Sequence, residues 1–305
     1  MNMKLYVTIG LMFLFGTSSL AQNTSSSDAK KLKEQKVVVA LKEYPKKASD
    51  AEKAAVDVAN AAFEMAMSTH WNFTEIETIL PLTEAKEYVE KNKSTFYMAI
   101  DEGISKSSTK NNNDGIRDNA YRWVSYSEKL SIYAPGLKAS VWLPRYEGLM
   151  SIATAAYAVG LMNKTCELLY KEEFKSVLSS GKYVKENGPN VIKKTLLVPR
   201  NYVSPKLSDD DVRQAFPYEM ELCDLSKVET AIIEKDPKYA VAYHIIMALG
   251  GKYLNRIYIS DAADGDVYGV LDGHKVSIEW GGMSSGGKDY LINEKELKQL
   301  RAIVE

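Results

Sequence analysis

The chain has few residues of the types that form disulfide frameworks and metal sites. It contains 2 cysteines and 3 histidines in 305 residues. A small, disulfide-stapled scaffold is therefore excluded. Cys166 and Cys223 could pair in an oxidising compartment, but their apolar neighbours equally suit buried free thiols, so both alternatives stay open. The histidines, His70, His244 and His274, lie far apart, and no group of His, Cys, Asp or Glu has the spacing of a metal site.

The chain also has almost equal numbers of positively and negatively charged residues. The formal net charge is −1 at pH 7. A nearly neutral chain has no general electrostatic attraction to nucleic acid or to an anionic membrane surface, so we expect no nucleic-acid partner. The remaining composition, 45% hydrophobic and 26% charged, is typical of a globular protein. This length suits one large domain or two smaller ones.

The first 21 residues predict a signal peptide. Lys4 supplies a short positive region, residues 6–15 are apolar, and Ser19-Leu20-Ala21 offers the small residues that signal peptidase requires. The apolar run is shorter than the ~20 residues that a membrane-spanning helix needs. We therefore expect cleavage near Ala21, an exported protein in the periplasm or outside the cell, and no transmembrane span in the mature chain. Residues 22–35, rich in Ser and Lys, are expected to be flexible.

Residues 194–270 predict an α/β unit in the order strand–helix–strand–helix–strand–strand. A short apolar run at 195–198 ends at Pro199 and indicates a buried strand. Ser208 precedes three aspartates and predicts a helix start. Residues 218–222 alternate as a strand, and Ser226 followed by Glu229 fits a capping box for the second helix. The strands that follow are expected at 241–249, 253–260 and 266–271.

An earlier stretch, residues 36–133, predicts the same order of elements. A strand begins at Lys36, and Ser49 with Glu52 forms a capping box for a helix that ends near His70. Val58, Ala62 and Met65 have the spacing of one apolar helix face. We expect further elements as a strand at 71–76, a helix at 82–91, a strand at 95–100 and a ribbon at 121–133. The sequence therefore predicts an internal repeat of two related units.

Residues 149–169 predict the most apolar helix after the signal peptide. Its small residues allow close packing, and Asn163 and Lys164 interrupt its apolar surface, so we expect a central buried helix and not a membrane span. The expected fold is α/β with mixed sheets around this helix. Its organisation is a first unit at 36–146, a central helix and linker at 147–190, a second unit at 191–275, and a C-terminal strand, Gly-rich loop and helix at 276–305.

The Gly-rich loop at 281–287 contains incomplete versions of two catalytic motifs. Residues 282–288 have the spacing of a phosphate-binding loop, but Asp289 stands where Ser or Thr must bind magnesium. Ser284 has the glycine spacing of a nucleophile elbow, but no histidine follows it in the chain. Neither motif supports an enzymatic assignment.

Acidic and polar stretches give weak site candidates. Residues 110–121 resemble an EF-hand loop, yet Lys110 and Tyr121 would occupy ligand positions that need carboxylates. The Asp-rich turn at 261–266 is a second weak calcium candidate. The carboxylate pairs Glu75/Glu77 and Glu219/Glu221 are better explained as solvent-facing strand residues than as acid–base pairs. We assign no catalytic, cofactor-binding or metal-binding residue, and we predict no cofactor.

Several segments carry a family resemblance. The leader ending in Ala21-Gln22, the run 194–199, the run 235–240 and the turn 261–265 together resemble a group of secreted or periplasmic Bacteroidetes proteins of unassigned function. The resemblance spans most of the mature chain, and its motifs are structural, so it implies export and carries over no catalytic residue. The order of elements is also similar to the small α/β domain at the N-terminus of TolB, which is a likeness of fold alone.

The leading hypothesis is therefore an exported, non-enzymatic envelope protein that binds another protein or a surface polysaccharide. The export signal, the 19 tyrosines and the long strand ribbons motivate this hypothesis. Two alternatives remain. The first is a secreted hydrolase that acts on an envelope or dietary polymer through a site assembled from distant residues. The second is a protein that binds a small ligand between its two units.

Overall fold

The computed structural model describes residues 24–107, 123–135, 137–144, 149–176, 179–249, 252–276 and 291–305. Eight α-helices lie in these ranges: α1 (Ser26–Lys33), α2 (Asp50–His70), α3 (Leu82–Lys91), α4 (Ile152–Tyr170), α5 (Gly181–Asn187), α6 (Asp209–Ala215), α7 (Leu225–Ile233) and α8 (Glu294–Val304). Ten strands accompany them: β1 (Lys36–Leu41), β2 (Ile76–Pro81), β3 (Thr95–Ser107), β4 (Trp123–Ala134), β5 (Leu137–Trp142), β6 (Thr195–Pro199), β7 (Met220–Cys223), β8 (Tyr239–Leu249), β9 (Lys252–Asp261) and β10 (Val267–Val276). Short 3₁₀ helices occupy Gly188–Lys193 and Arg200–Tyr202.

The strands form two five-stranded mixed sheets with the same order of strands. The first sheet has the order β2-β1-β3-β4-β5, and the second has the order β7-β6-β8-β9-β10. In each sheet the first three strands along the chain pair in parallel, and the last two add antiparallel. The predicted α/β fold with two related mixed-sheet units is therefore confirmed.

Most of the helix starts follow the local capping chemistry. Ser49 with Glu52, Ser208 with Asp211, and Asn293 with Glu296 each form a complete capping box. The capping box predicted at Ser226 is wrong. The helix there begins at Leu225, and Asp224 occupies the N-cap, because only one residue separates the end of β7 from the first helical residue.

The helix α4 lies between the two units and is buried along most of its length. Its two polar interruptions bind opposite units. The Asn163 carboxamide oxygen accepts hydrogen bonds from the backbone N–H groups of Asn72 and Phe73, both at 2.8 Å. Lys164 forms an ion pair at 2.6 Å with Asp264 of the second unit. The predicted central helix is confirmed, and its polar residues connect it to both units.

The two units present different faces to the shared core. In the first unit α2, which connects β1 to β2, joins α4 in that core. In the second unit α7, which connects β7 to β8, takes this role. Right-handed crossovers place the two helices of such a unit on opposite sides of its sheet. The repeat is therefore one of topology, and the two copies use opposite sheet faces for their common core.

The outer faces of the sheets have smaller cores. Under α3, the first sheet buries Val38, Ala40 and Ala99 together with Ala85 and Val89 of the helix. The second sheet packs its outer face against α6 and α8. The buried residues of that outer core that lie on the two helices are Val212, Leu297, Leu300 and Val304.

Three local predictions differ from the structure. The stretch expected to be flexible contains α1, because Ser25 and Asp28 form a capping box and Leu32 is buried. The strand expected at 71–76 begins only at Ile76, because the backbone N–H groups of Asn72 and Phe73 donate to the Asn163 side chain instead of to a neighbouring strand. The separate C-terminal strand expected at the start of 276–305 overlaps the described ranges only at Val276, which is the last residue of β10.

The apolar face predicted for α2 is confirmed at Ala62 and wrong at Val58 and Met65. Val58 is 37% exposed and Met65 is 49% exposed. The residues of α2 that enter the core are Ala59, Ala62, Phe63, Ala66, Met67 and His70. Apolar residues surround most of this helix, so spacing alone could not select the side that α4 covers.

Candidate functional site

The strands β3 and β4 extend beyond the other strands of the first sheet as a two-stranded arm. β1 pairs with β3 as far as Ala99, and β5 pairs with β4 from Lys129 onward. We define the arm as residues 103–107 and 123–127, which pair with each other from Gly103–Ser127 to Ser107–Trp123. Within the described part of the chain, neither strand of the arm has a second partner strand.

The arm results from unequal strand lengths. β3 has 13 residues and β4 has 12, whereas the flanking β1 and β5 have 6 each. At about 3.3 Å per residue, five residue pairs extend about 17 Å beyond the sheet. Among the described residues, no further strand pairs with either outer edge of the arm, and the length of each edge is sufficient for a short third strand.

The base of the arm is held by side chains on β3, β4 and the loop after β1. Lys42 forms an ion pair with Glu128. The rings of Tyr97 and Tyr133 stack at 4.7 Å, and the Tyr133 hydroxyl donates to Asp101. Burial raises the pKa of Tyr97 to about 12, and burial followed by the Asp101 hydrogen bond raises the pKa of Tyr133. These phenols stay protonated at neutral pH, and they hold β3 to β4 in the part of the sheet from which the arm extends.

The corresponding ribbon of the second unit is in contact with the first unit. An isolated bridge joins Pro144, just after β5, to Ile245 of β8. β8 also contacts β3, β4 and β5. The edge of β8 beyond its pairing with β6 is thus partly occupied by the protein itself. The two units have the same topology, but the arm of the first unit is the better candidate for an external strand.

The Asp-rich turn at 261–266 binds the central helix and does not gather its carboxylates. Asp261 pairs with Lys194 at 2.6 Å and accepts a 2.7 Å hydrogen bond from Tyr268. Asp264 pairs with Lys164. Because each carboxylate has cationic or hydroxyl partners, the geometry does not support the calcium interpretation of this turn.

The third carboxylate of this turn, Asp266, is half-buried and faces α4. Asp266 accepts from the Tyr183 hydroxyl at 3.0 Å and lies 3.6 Å from Lys164. Burial raises the pKa of Asp266, and the Lys164 charge opposes that rise. Burial lowers the pKa of Lys164, but its hydrogen bond to Asp264 and the charge of Asp266 outweigh it, so the pKa is raised overall. The cluster is an internal ion-pair contact between the turn and α4.

Two of the three histidines have described side chains, and both are buried. His70 donates through Nε2 to the Ile232 carbonyl oxygen at 3.0 Å. Burial lowers the pKa of His70 against the opposing effect of this hydrogen bond. His244 lies on β8 with its ring 5.7 Å from that of Tyr202. The structure does not bring these histidines together, and the side chain of His274 lies outside the described part of the structure.

Both cysteines are free and buried. Burial raises the pKa of Cys166 to about 12 and that of Cys223 to about 11. The disulfide alternative is therefore not formed in this structure. A thiol with so high a pKa is a weak nucleophile at neutral pH, so neither cysteine has the environment of a catalytic nucleophile.

The carboxylate pairs flagged in the sequence are used in surface contacts. Lys36 lies 3.1 Å from Glu75 and 2.9 Å from Glu77, and its hydrogen bond lowers the pKa of Glu77. Glu219 accepts from the Thr195 hydroxyl at 2.6 Å, and Glu221 pairs with Lys227 at 2.6 Å. Each of these carboxylates contacts a lysine or a hydroxyl, so the geometry does not support an acid–base pair.

The Gly-rich loop with Ser284, the phosphate-loop spacing at 282–288 and the EF-hand-like stretch at 110–121 all lie outside the described residues. Among the residues that are described, no group of three or more His, Cys, Asp or Glu side chains could hold a metal ion. No helix in the same ranges is long and apolar enough to cross a membrane.

Comparisons with protein-family models, with curated proteins and with solved structures found no match to this chain.

Proposed function

We propose that this chain is an exported, non-enzymatic cell-envelope protein of the Bacteroidetes type, and that it binds another protein by strand addition to the β3–β4 arm. The supporting observation is the pairing pattern, in which residues 103–107 and 123–127 pair with each other and with no further strand in the described ranges. An open edge offers N–H and C=O groups at the spacing of a polypeptide strand. This chemistry favours a protein partner over a polysaccharide.

The expected affinity is modest. Each backbone hydrogen bond contributes about 0.5–1.5 kcal/mol net, so a five-residue strand gains several kcal/mol before the cost of association. Side chains that fill sites beside the strand must supply any tighter binding. Covalent capture in the producing cells is therefore a better first assay than purification of a stable complex.

Two deletion variants test the arm while leaving the sheet in place. In the armless variant, Asn-Gly replaces residues 103–127 and joins Glu102 to its pairing partner Glu128 as a two-residue hairpin. In the matched control, Asn-Gly replaces residues 108–122 and joins Ser107 to its partner Trp123, so the arm is kept. Circular dichroism and thermal unfolding check that both variants fold.

Crosslinking in cells, affinity capture and mass spectrometry then compare the three proteins. We expect one reproducible envelope partner with the parent and the control, and its loss with the armless variant. Equal capture by all three proteins would refute the edge as the binding site. Export is checked separately by the first residue of the cell-released protein, which we expect to be Gln22.

A further inference from the structure

The helix α2 has more apolar surface than the core uses. Its exposed side contains five apolar residues spaced alternately by three and four positions. We call them the outer stripe: Ala51, Ala54, Val58, Ala61 and Met65. A surface helix needs one apolar stripe about 100° wide to pack on its own protein. One apolar stripe of α2 faces α4, and the outer stripe lies beside it on the exposed side of the helix.

The outer stripe contains large side chains as well as alanines. Val58 is 37% exposed and Met65 is 49% exposed. Tyr44, on the loop before α2, is 54% exposed, and its hydroxyl donates to Asp57 of the helix at 2.6 Å. Three large apolar groups thus lie on one side of α2. The 3.5-residue spacing is the pattern with which one helix packs along another.

A row of carboxylates runs beside the outer stripe. Asp50, Asp57 and Glu64 each precede a stripe residue and recur every seven positions. They therefore form a line along one flank of the stripe. Lys53 lies 3.4 Å from Asp50 and partly neutralises the negative charge of the row. The flank remains acidic, which indicates a partner with a row of positive charge at the matching edge.

We propose that the outer stripe of α2 docks an amphipathic helix of a partner protein, with an apolar face on Val58 and Met65 and a basic row against Asp50, Asp57 and Glu64. A second copy of this chain is the less suitable occupant. Two α2 helices related by a two-fold axis perpendicular to them run antiparallel and place the acidic row against itself. This surface is distinct from the strand edge, and the proposal stands independently of that edge.

Designed peptides test the proposal with the purified full chain. The probe is a helical peptide about three heptads long, with Leu and Ala at its a and d positions and Lys at its e and g positions. A matched peptide has Glu in place of Lys. By fluorescence anisotropy we expect the Lys peptide to bind at least about tenfold more tightly than the Glu peptide at low salt, and the difference to shrink at about 1 M salt.

Three variants locate the binding. Val58→Gln/Met65→Gln should weaken the Lys peptide about tenfold or more, because its apolar contact is lost. Ile192→Gln, at an equally exposed apolar residue (46%) of the second unit, should not change it. Asp57→Lys/Glu64→Lys should reverse the preference toward the Glu peptide. All of these positions are on the surface, so the fold is expected to be retained and is checked by circular dichroism.

Three results would overturn the proposal. The first is equal binding of both peptides, and the second is binding that Val58→Gln/Met65→Gln leaves unchanged. The third is a dimer in sedimentation velocity that this same double variant dissociates, because that result assigns the outer stripe to a second copy of the chain.

Discussion

Gly265 touches the backbone of the central helix, and a single added methyl group should destabilise the protein there. Gly265 has φ +74° in the turn between β9 and β10. A Cβ at this position would lie 2.8 Å from the carbonyl carbon of Gly160 and 2.8 Å from the amide nitrogen of Leu161. Backbone atoms of a buried helix cannot move aside as a side chain can.

The expected magnitude has two parts. The left-handed conformation costs an alanine about 1–2 kcal/mol, and overpacking against the helix adds about 1–3 kcal/mol. Gly265→Ala should therefore lower the free energy of unfolding by about 2–5 kcal/mol. For a chain of this size, each kcal/mol corresponds to a decrease in Tm of about 2 °C.

Gly160→Ala is the matched control, since it adds the same atom to the helix residue whose backbone Gly265 contacts, but in a direction away from Gly265. Its Cβ would meet only His70 Cδ2, at an ordinary 3.9 Å. Gly160 lies inside α4, so alanine should stabilise the helix by up to ~1 kcal/mol.

Urea unfolding of the parent and the two variants, followed by circular dichroism, measures the difference. We expect Gly265→Ala to unfold at clearly lower urea and Gly160→Ala at equal or higher urea. A Gly265→Ala protein as stable as the parent, or equal losses in both variants, would show that the turn does not dock on α4 in this way.

Three further predictions concern single groups. Asn163→Ala removes the side-chain oxygen that accepts hydrogen bonds from the backbone N–H groups of Asn72 and Phe73. Urea unfolding should therefore show a free energy of unfolding that is lower by about 2–4 kcal/mol. A decrease of less than about 1 kcal/mol would contradict this contact. Ser49→Ala should lower the free energy of unfolding by about 1 kcal/mol because the helix loses its N-cap, whereas Ser226→Ala, inside a helix, should change it little. Equal effects of the two substitutions would contradict the assigned helix starts. His70 has a pKa below 6.5 in the folded protein, so its neutral form is favoured there and stability should fall as the pH drops through 6.5. His70→Gln should lack this decline between about pH 7 and pH 5.5, and an unchanged decline would assign it to other groups.

The α/β class and the repeat were accessible from local chemistry. Alternating or continuous apolar runs marked the strands, and capping residues such as Ser49 and Ser208 marked helix starts, because both signals depend on neighbours a few positions apart. The same signals failed where a distant residue intervened. Asn163, 91 positions from Asn72, binds the backbone that would otherwise continue β2 toward Trp71.

The candidate surfaces were only partly accessible. Long ribbons were expected from the sequence, but the arm depends on the residues at which β1 stops pairing with β3 and β5 stops pairing with β4. No single segment of the sequence determines where the pairing of two strands ends. The apolar residues of α2 were visible in the sequence. Their division between a buried side and an outer stripe followed from the position of α4.

The sequence alone determined most of the elements, their order and the central place of the apolar helix, because periodicity and capping act over short distances. The tertiary structure decided which face of each sheet meets that helix, and it decided that Asp261, Asp264 and Asp266 bind lysines and tyrosines. Such choices depend on which surfaces come together and on the full satisfaction of buried polar groups. Both are properties of the assembled chain and not of any local stretch.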